Sequence, residues 1–232
     1  MEQIVREGSP NVTIQTLPSY RAALPDTPYA LWASGELDDF LHLPEGSRAE
    51  IIGGEIVVSP TPMVSHGNLI YYISSAIDRA RYADPSYPWT SRQVMTLNLP
   101  GFEQGYVPDL IVAEDGVFET AGDADESQLR PDEIEMVVEV TSKNLADYDR
   151  PPARDKALRK PTKWWGYARV GIPYYLLVDR DPKVANTTLF SIPDQGSNAY
   201  LHRESWDFGA TVHLPEPFNI ELDTSGWKPW RA

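Results

Sequence analysis

Glu139 interrupts an otherwise apolar run, Ile134-Glu135-Met136-Val137-Val138-Glu139-Val140-Thr141, and no other feature constrains the fold of this chain as tightly. The β-branched content of the run reads as a strand. With a period of two, Ile134, Met136, Val138 and Val140 face one way, and Glu135, Val137, Glu139 and Thr141 the other. A carboxylate among valines in a central strand costs several kcal/mol to desolvate unless a positive group meets it. A second case lies upstream in Tyr106-Val107-Pro108-Asp109-Leu110-Ile111-Val112-Ala113, where Asp109 shares a face with Val107 and Ile111. Two acids on two buried strands suggest a divalent cation between them, and so metal-dependent chemistry. Spacing alone equally allows two strand-end acids that are solvated or paired with Arg or Lys.

The chain has 232 residues, 41% of them hydrophobic, enough to bury a core as one domain. It contains no cysteine, which excludes disulfides, thiolate zinc sites and cysteine nucleophiles. No apolar run approaches the roughly 20 residues that span a bilayer. The N-terminus lacks the basic-then-apolar pattern of a signal peptide. The location to expect is the cytoplasm, with no membrane partner.

A net charge of −14 argues against non-specific, charge-driven binding of nucleic acid. The charge is uneven, however. From Lys143 to Arg169, eight basic residues face three acids, a local net of +5. A phosphate-bearing partner would dock there; the plainer alternative is a solvated loop and helix in an acidic protein.

The first 28 residues carry Pro10, Pro18, Pro25 and Pro28 and read as an extended lead-in, with residues 29–232 as a single domain. Tyr29 to Leu43 is a short amphipathic stretch in which Leu37, Phe40 and Leu41 could share a helical face. Gly53-Gly54 between two β-rich runs signals a hairpin. Ser65 reads as the N-cap of a helix to about Tyr82, with Leu69, Tyr72, Ile73, Ala76 and Ala80 as its buried stripe. Strands are predicted at Gln93–Leu99, Tyr106–Ala113 and Ile134–Thr141, with Asp115–Pro131 as an acidic surface loop.

Pro161 suits the first turn of a short helix that Gly171 ends, with Trp164, Tyr167 and Ala168 on its buried face and Lys163 at the rim. The strand Pro173–Asp179 follows, then weaker runs at 187–192, 199–204, 210–214 and 218–222. Strands in the middle, one helix before them and one among them, predict an α/β chain with a mixed β-sheet flanked by helices.

The ordered set of motifs resembles a known family. Glu50-Ile51-Ile52-Gly53-Gly54-Glu55, Ser59-Pro60, His66, Val107-Pro108-Asp109, Val138-Glu139-Val140-Thr141-Ser142, Lys163 with Tyr167-Ala168, Gly171-Ile172-Pro173-Tyr174-Tyr175 and Val178-Asp179 occur in sequence. Together they are similar to the Uma-type (DUF820) restriction endonuclease family of the PD-(D/E)xK nuclease superfamily, over roughly residues 49 to 179.

The resemblance implies a restriction-endonuclease-like core and a Mg²⁺-dependent DNA endonuclease, with Mn²⁺ as a substitute metal. It implies Asp109, Glu139 and Val140 as the metal set and Lys163 as the catalytic lysine, because the usual position two residues after the glutamate is Thr141 here. Lys143, about 13 Å along the strand from Glu139, is the competitor. Glu50, Glu55 and His66 match further acidic and imidazole positions of the family. The partner is DNA, bound through the segment Lys143–Arg169, and a homodimer would supply the two sites that cutting both strands needs.

The competing reading is a nuclease-like scaffold that binds or regulates without turnover. Other enzyme classes lack support, since no Gly-x-Ser-x-Gly, His-Glu-x-x-His, P-loop or Gly-x-Gly-x-x-Gly motif is present. The seven tryptophans would suit a carbohydrate-binding β-protein, but Trp164 and Trp165 fall on a helix.

Overall fold

Gly53 and Gly54 take φ of 62° and 78°, both left-handed, and close the tight turn between β3 (Arg48–Ile52) and β4 (Glu55–Ser59). The computed structural model describes residues 11–14, 20–23, 27–152 and 161–231, the first two stretches as backbone only. Those two are β1 (Asn11–Ile14) and β2 (Tyr20–Ala23), an antiparallel pair within the predicted lead-in. Two short helices follow, α1 (Pro28–Ala33) and α2 (Leu37–Leu41); Leu37 is buried while Phe40 faces solvent.

Next in order come α3 (Val64–Ala83), β5 (Trp89–Arg92), β6 (Thr96–Leu99), β7 (Gln104–Tyr106), β8 (Leu110–Glu114), α4 (Asp115–Asp123), β9 (Gln128–Leu129) and β10 (Met136–Val140). The chain continues through α5 (Ala146–Asp149), α6 (Lys163–Val170), β11 (Tyr174–Asp179), β12 (Asn186–Asp194), β13 (Ala199–Asp207), β14 (Thr211–Leu214) and β15 (Ile220–Asp223). Six strands form the main sheet in the order β13-β12-β11-β10-β8-β5, and five form a second sheet, β4-β3-β7-β6-β9. β10 and β11 pair in parallel, while the other pairs of the main sheet are antiparallel. This is an α/β fold of mixed sheets flanked by helices.

The period-two reading of β10 holds within the strand. Met136, Val138 and Val140 pack toward α3 and the β14–β15 hairpin, and Val137 toward α6 and the second sheet. A strand covered on both faces has no solvated side, so Glu139 can only be buried. Facing it, α6 runs from its N-cap Thr162, whose hydroxyl accepts from the Trp165 N–H, to Gly171, whose φ of 81° ends the helix. Tyr167 and Ala168 are buried and Trp164 only partly so. Lys163, predicted at the rim, is instead 5% exposed.

Several boundaries differ from the sequence reading, each for a local reason. The predicted strand Tyr106–Ala113 breaks at Val107-Pro108-Asp109, where the chain leaves the second sheet at β7 and enters the main sheet at β8. Pro108 has no N–H to give a ladder, so the crossover falls there. Of the predicted strand Gln93–Leu99 only Thr96–Leu99 is extended, as β6; residues 93–95 form the bend by which the chain passes from β5 in the main sheet to β6 in the second. The acidic stretch Asp115–Pro131 is largely α4 and β9, its Phe118 and Val117 packing on the core while the acids face water. Ser65 does not cap α3: the helix starts one residue earlier, with Met63 as a cap lacking a side-chain bond. Its buried stripe includes Ile70 and Ile77 in place of Tyr72 and Ala80.

Gly166 sits in α6 directly over the Tyr106 ring, inside the distance a methyl group would need. That close approach lets Lys163, one turn earlier, reach the sheet. Gly166→Ala is expected to destabilise by about 1–3 kcal/mol through overpacking, read as a lower urea midpoint. Gly122→Ala in α4, where nothing lies within 4 Å, should be neutral or stabilising by up to about 1 kcal/mol.

Candidate active site

A pocket of about 1080 Å³ opens between α3, the ends of β8 and β10, and α6. Asp109 immediately precedes β8, and its Oδ2 accepts the N–H of Val140 at 2.9 Å. Because β8 and β10 are paired neighbours, that bond sets Asp109 beside the strand that carries Glu139. Both carboxylates line the pocket.

Lys163 enters from the first turn of α6. Its Nζ lies 2.7 Å from Glu50 Oε1 and 3.0 Å from Glu139 Oε1. Glu139 Oε1 also accepts from Tyr167 Oη at 2.6 Å, and Glu50 Oε1 from the Val107 N–H at 2.7 Å. Tyr167 meets Tyr106 edge-on, with centroids 5.3 Å apart. The lysine is thus held at both ends of its reach, by two acids and by the packing of its helix. Lys143 lines the same pocket from an exposed position.

His66, on the first turn of α3, is buried with Nε2 3.1 Å from Asp109 Oδ1. The pair is at ion-pair distance but off the line of a hydrogen bond, since Nε2 has no hydrogen-bonding partner. Arg48 approaches the same oxygen at 3.7 Å. Glu55 is not brought to the pocket: it stands at the start of β4, where its carboxylate accepts from Tyr148 Oη at 3.3 Å.

These surroundings divide the acids. Burial pushes Asp109 up, but His66, Lys163 and the Val140 N–H outweigh it and hold the carboxyl below its usual range. Burial pushes Glu139 up to about 7, with Asp109 and Glu50 adding to it and Lys163 and Tyr167 opposing. Burial also raises Asp149 well above the ordinary carboxylate range, reinforced by Glu139. Burial alone lowers the pKa of Lys163, but Glu139, Glu50 and Asp149 outweigh it and hold the pKa above the ordinary lysine value.

The sign of the pH dependence follows. Glu139 binds its proton more tightly folded, at about 7, than at its ordinary 4.5. Its stabilisation is complete below about pH 4.5 and is lost as pH rises through about 7, by an amount near 3 kcal/mol. Asp149 acts in the same direction. Asp109, held low, gives the opposite dependence, but only at acid pH. Urea unfolding in EDTA should therefore show stability falling from about pH 5 to about pH 8. A flat or rising profile would contradict the raised acids.

Among the described residues, no group of three or more His, Asp or Glu forms a ready metal cage. The physical reason is local: Lys163 lies against both Glu50 and Glu139, and His66 and Arg48 approach Asp109. The donor set nevertheless fits a hard cation that takes one or two protein carboxylates and completes its shell with water and phosphate oxygens. Glu139 uses only Oε1 for Lys163 and Tyr167, while Asp109 gives Oδ2 to the Val140 N–H and has only the ion-pair neighbours His66 and Arg48 at Oδ1. Val140 could add nothing but its main-chain carbonyl.

Sequence reasoning missed Asp149, which ends α5 with its carbonyl held by Tyr175 Oη at 2.9 Å. It lies before a Pro-Pro pair with no periodic pattern to mark it. The C-terminal segment at Lys228–Arg231, which forms one side of the pocket, was also missed. Its mixture of basic and aromatic residues was the available signal. Of the basic stretch Lys143–Arg169, residues 153–160 lie outside the described residues. Within the rest, Arg150 is committed to Asp179 at 2.6 Å and Asp181 at 3.1 Å, and Arg169 stacks on Phe102 and Trp165.

No helix among the described residues is long and apolar enough to cross a membrane. None of the curated proteins compared matches the chain. A crystal structure described as a putative nuclease belonging to DUF820 from Anabaena variabilis ATCC 29413 is similar, with a TM-score of 0.55 at 19% identity. The alignment covers 82% of this chain and 97% of that one, and at such identity it speaks for the fold. Residues 37–225 match the family model described as "Uma2: Putative restriction endonuclease". That match runs through both sheets, α3, α6 and the acid-lined pocket, and the chain belongs to the Uma2 (DUF820) family of the PD-(D/E)xK nuclease superfamily.

Proposed function

We propose that the protein is a Mg²⁺-dependent endonuclease that hydrolyses phosphodiester bonds of DNA, with Mn²⁺ able to replace Mg²⁺. The observation that carries this reading is the meeting of Asp109, Glu139 and Lys163 in one pocket, with the Lys163 ammonium 3.0 Å from Glu139. Asp109 and Glu139 would hold the ion, with Val140 as a main-chain contributor. When bound, the ion neutralises charge on the phosphate and lowers the pKa of the attacking water.

The chain's own residues supply the rest. Asp109, kept ionised by its neighbours, offers negative charge at neutral pH. Lys163 presents its ammonium at the same place, where it can orient a water and meet negative charge that builds on the phosphate. Glu50 and Tyr167 fix that ammonium and the carboxylate beside it, so neither must reorganise during reaction. His66 sits against Asp109 and keeps its charge in place.

The test is plasmid nicking by the purified protein with Mg²⁺, with Mn²⁺ and with EDTA. Cleavage that appears only with metal supports the reading. A second reading, a nuclease-like binding module, is favoured by one observation: Lys163 already neutralises part of the acid cluster without an ion. Absence of cleavage on supercoiled, linear and single-stranded DNA would put that reading ahead.

A further inference from the structure

Arg180 follows β11 and is 6% exposed, yet no carboxylate among the described residues pairs with it. The neighbouring Asp179 is taken by Arg150 through two bonds of 2.6 and 2.7 Å. One terminal nitrogen of the Arg180 guanidinium donates to Ser65 Oγ at 3.0 Å, and its Nε is buried with no partner at all. Burial lowers its pKa, the mark of a cation that has lost water without gaining a counter-charge. A buried, uncompensated charge is costly, and such a residue makes physical sense where an anion arrives.

The backbone around it is fixed. The Arg180 N–H donates to Thr141 Oγ1 at 2.9 Å, and its carbonyl accepts the Trp230 N–H at 3.0 Å. That second bond ties the C-terminal segment to the pocket, which Arg180, Lys228, Trp230 and Arg231 all line. The pocket is charge-divided. Its acids Glu50, Asp109, Glu139 and Asp149 are buried, whereas Lys143, Lys228 and Arg231 are exposed.

We propose that Arg180, with Ser65 beside it, is the receptor for a phosphate of the bound nucleic-acid strand next to the cleaved one, and that Lys228–Arg231 guide the strand into it. The proposal rests on reading the pocket as a nucleic-acid site. A planar guanidinium with a free Nε–H matches phosphate oxygens through two parallel bonds, which a lysine cannot reproduce. Exposed cations around it attract the backbone, and the buried acids stay reserved for the reacting end.

The experiment measures binding of a short fluorescein-labelled single-stranded oligonucleotide in EDTA, where no turnover occurs. Wild type is compared with Arg180→Met and Arg180→Lys over a range of salt. Arg180→Met should weaken binding about tenfold and flatten the slope of log K against log salt by about 0.7. Arg180→Lys should keep the slope and lose severalfold in affinity. Arg180→Met should also melt at or above the wild-type temperature, because it removes an unpaired buried cation. Binding by Arg180→Met with wild-type affinity and slope would overturn this proposal and leave the nucleic-acid reading standing. A wild type that binds no oligonucleotide would overturn both. Melting of Arg180→Met well below both other proteins would assign Arg180 a structural role instead.

Discussion

Glu139→Gln and Asp109→Asn are each expected to reduce Mg²⁺-dependent nicking by about three orders of magnitude or more. Each removes one of two carboxylates proposed to hold the ion, and an ion stabilises the displacement by several kcal/mol, each 1.4 kcal/mol being tenfold in rate. The amide variants separate chemistry from folding. In Glu139→Gln, the amide oxygen still accepts from Tyr167 Oη, and Lys163 keeps Glu50 at 2.7 Å. A carboxyl whose burial pushes it up to about 7 is removed at the same time. The urea midpoint at neutral pH should therefore equal or exceed that of wild type. Glu55→Gln serves as the contrast, since Glu55 stands outside the pocket beside Tyr148, and its nicking rate should stay within a few-fold of wild type. Wild-type cleavage by Glu139→Gln would place the reaction elsewhere or assign it to a contaminant.

The main sheet was legible because its strands carry their burial in their composition. β10 and β11 are covered on both faces and read as near-continuous apolar runs, and the Gly-Gly hairpin announces its own turn. What stayed hidden were choices that depend on partners far along the chain. Nothing in Tyr106–Ala113 says that its two halves belong to different sheets, although Pro108 marks the place. Little in Asp115–Pro131 distinguishes a solvated acidic helix from an acidic loop, because only a few scattered residues, Val117, Phe118, Ala121 and Leu129, touch the core.

The site divides in the same way. Asp109, Glu139 and Lys163 could be chosen because charged residues sat against apolar neighbours, in an order that resembled a family. The depth of Lys163 was not readable, since it depends on Gly166 allowing α6 to sit on Tyr106. Asp149 owes its importance to burial among the other charges and Arg180 to a missing partner, and both are properties of the folded chain alone.

Lys163→Met should be the most destabilising single change in the pocket, and its cost should depend on pH in a definite direction. The ammonium is 5% exposed and lies within 3.0 Å of Glu139 and 2.7 Å of Glu50, with Asp149 adding to the attraction. Removing one partner of a buried pair costs about 3–5 kcal/mol, because the remaining charges are left without compensation. Here the acids can respond by taking up protons. Lys163 lowers the pKa of both Asp109 and Glu139, so its loss raises both. The variant should lie far below wild type near pH 8 in EDTA and approach it near pH 5. A divalent cation offers the second escape: millimolar Mg²⁺ at alkaline pH should recover more stability in Lys163→Met than in wild type, because it meets more uncompensated negative charge. With the fold so restored, the nicking rate reports the lysine's part in the reaction, and a loss of about a hundredfold is expected for one electrostatic donor. Equal stability of the two proteins in EDTA near pH 8 would mean that the ammonium does not balance the cluster. Full activity in the Mg²⁺-restored variant would leave Lys163 as a structural counter-ion only.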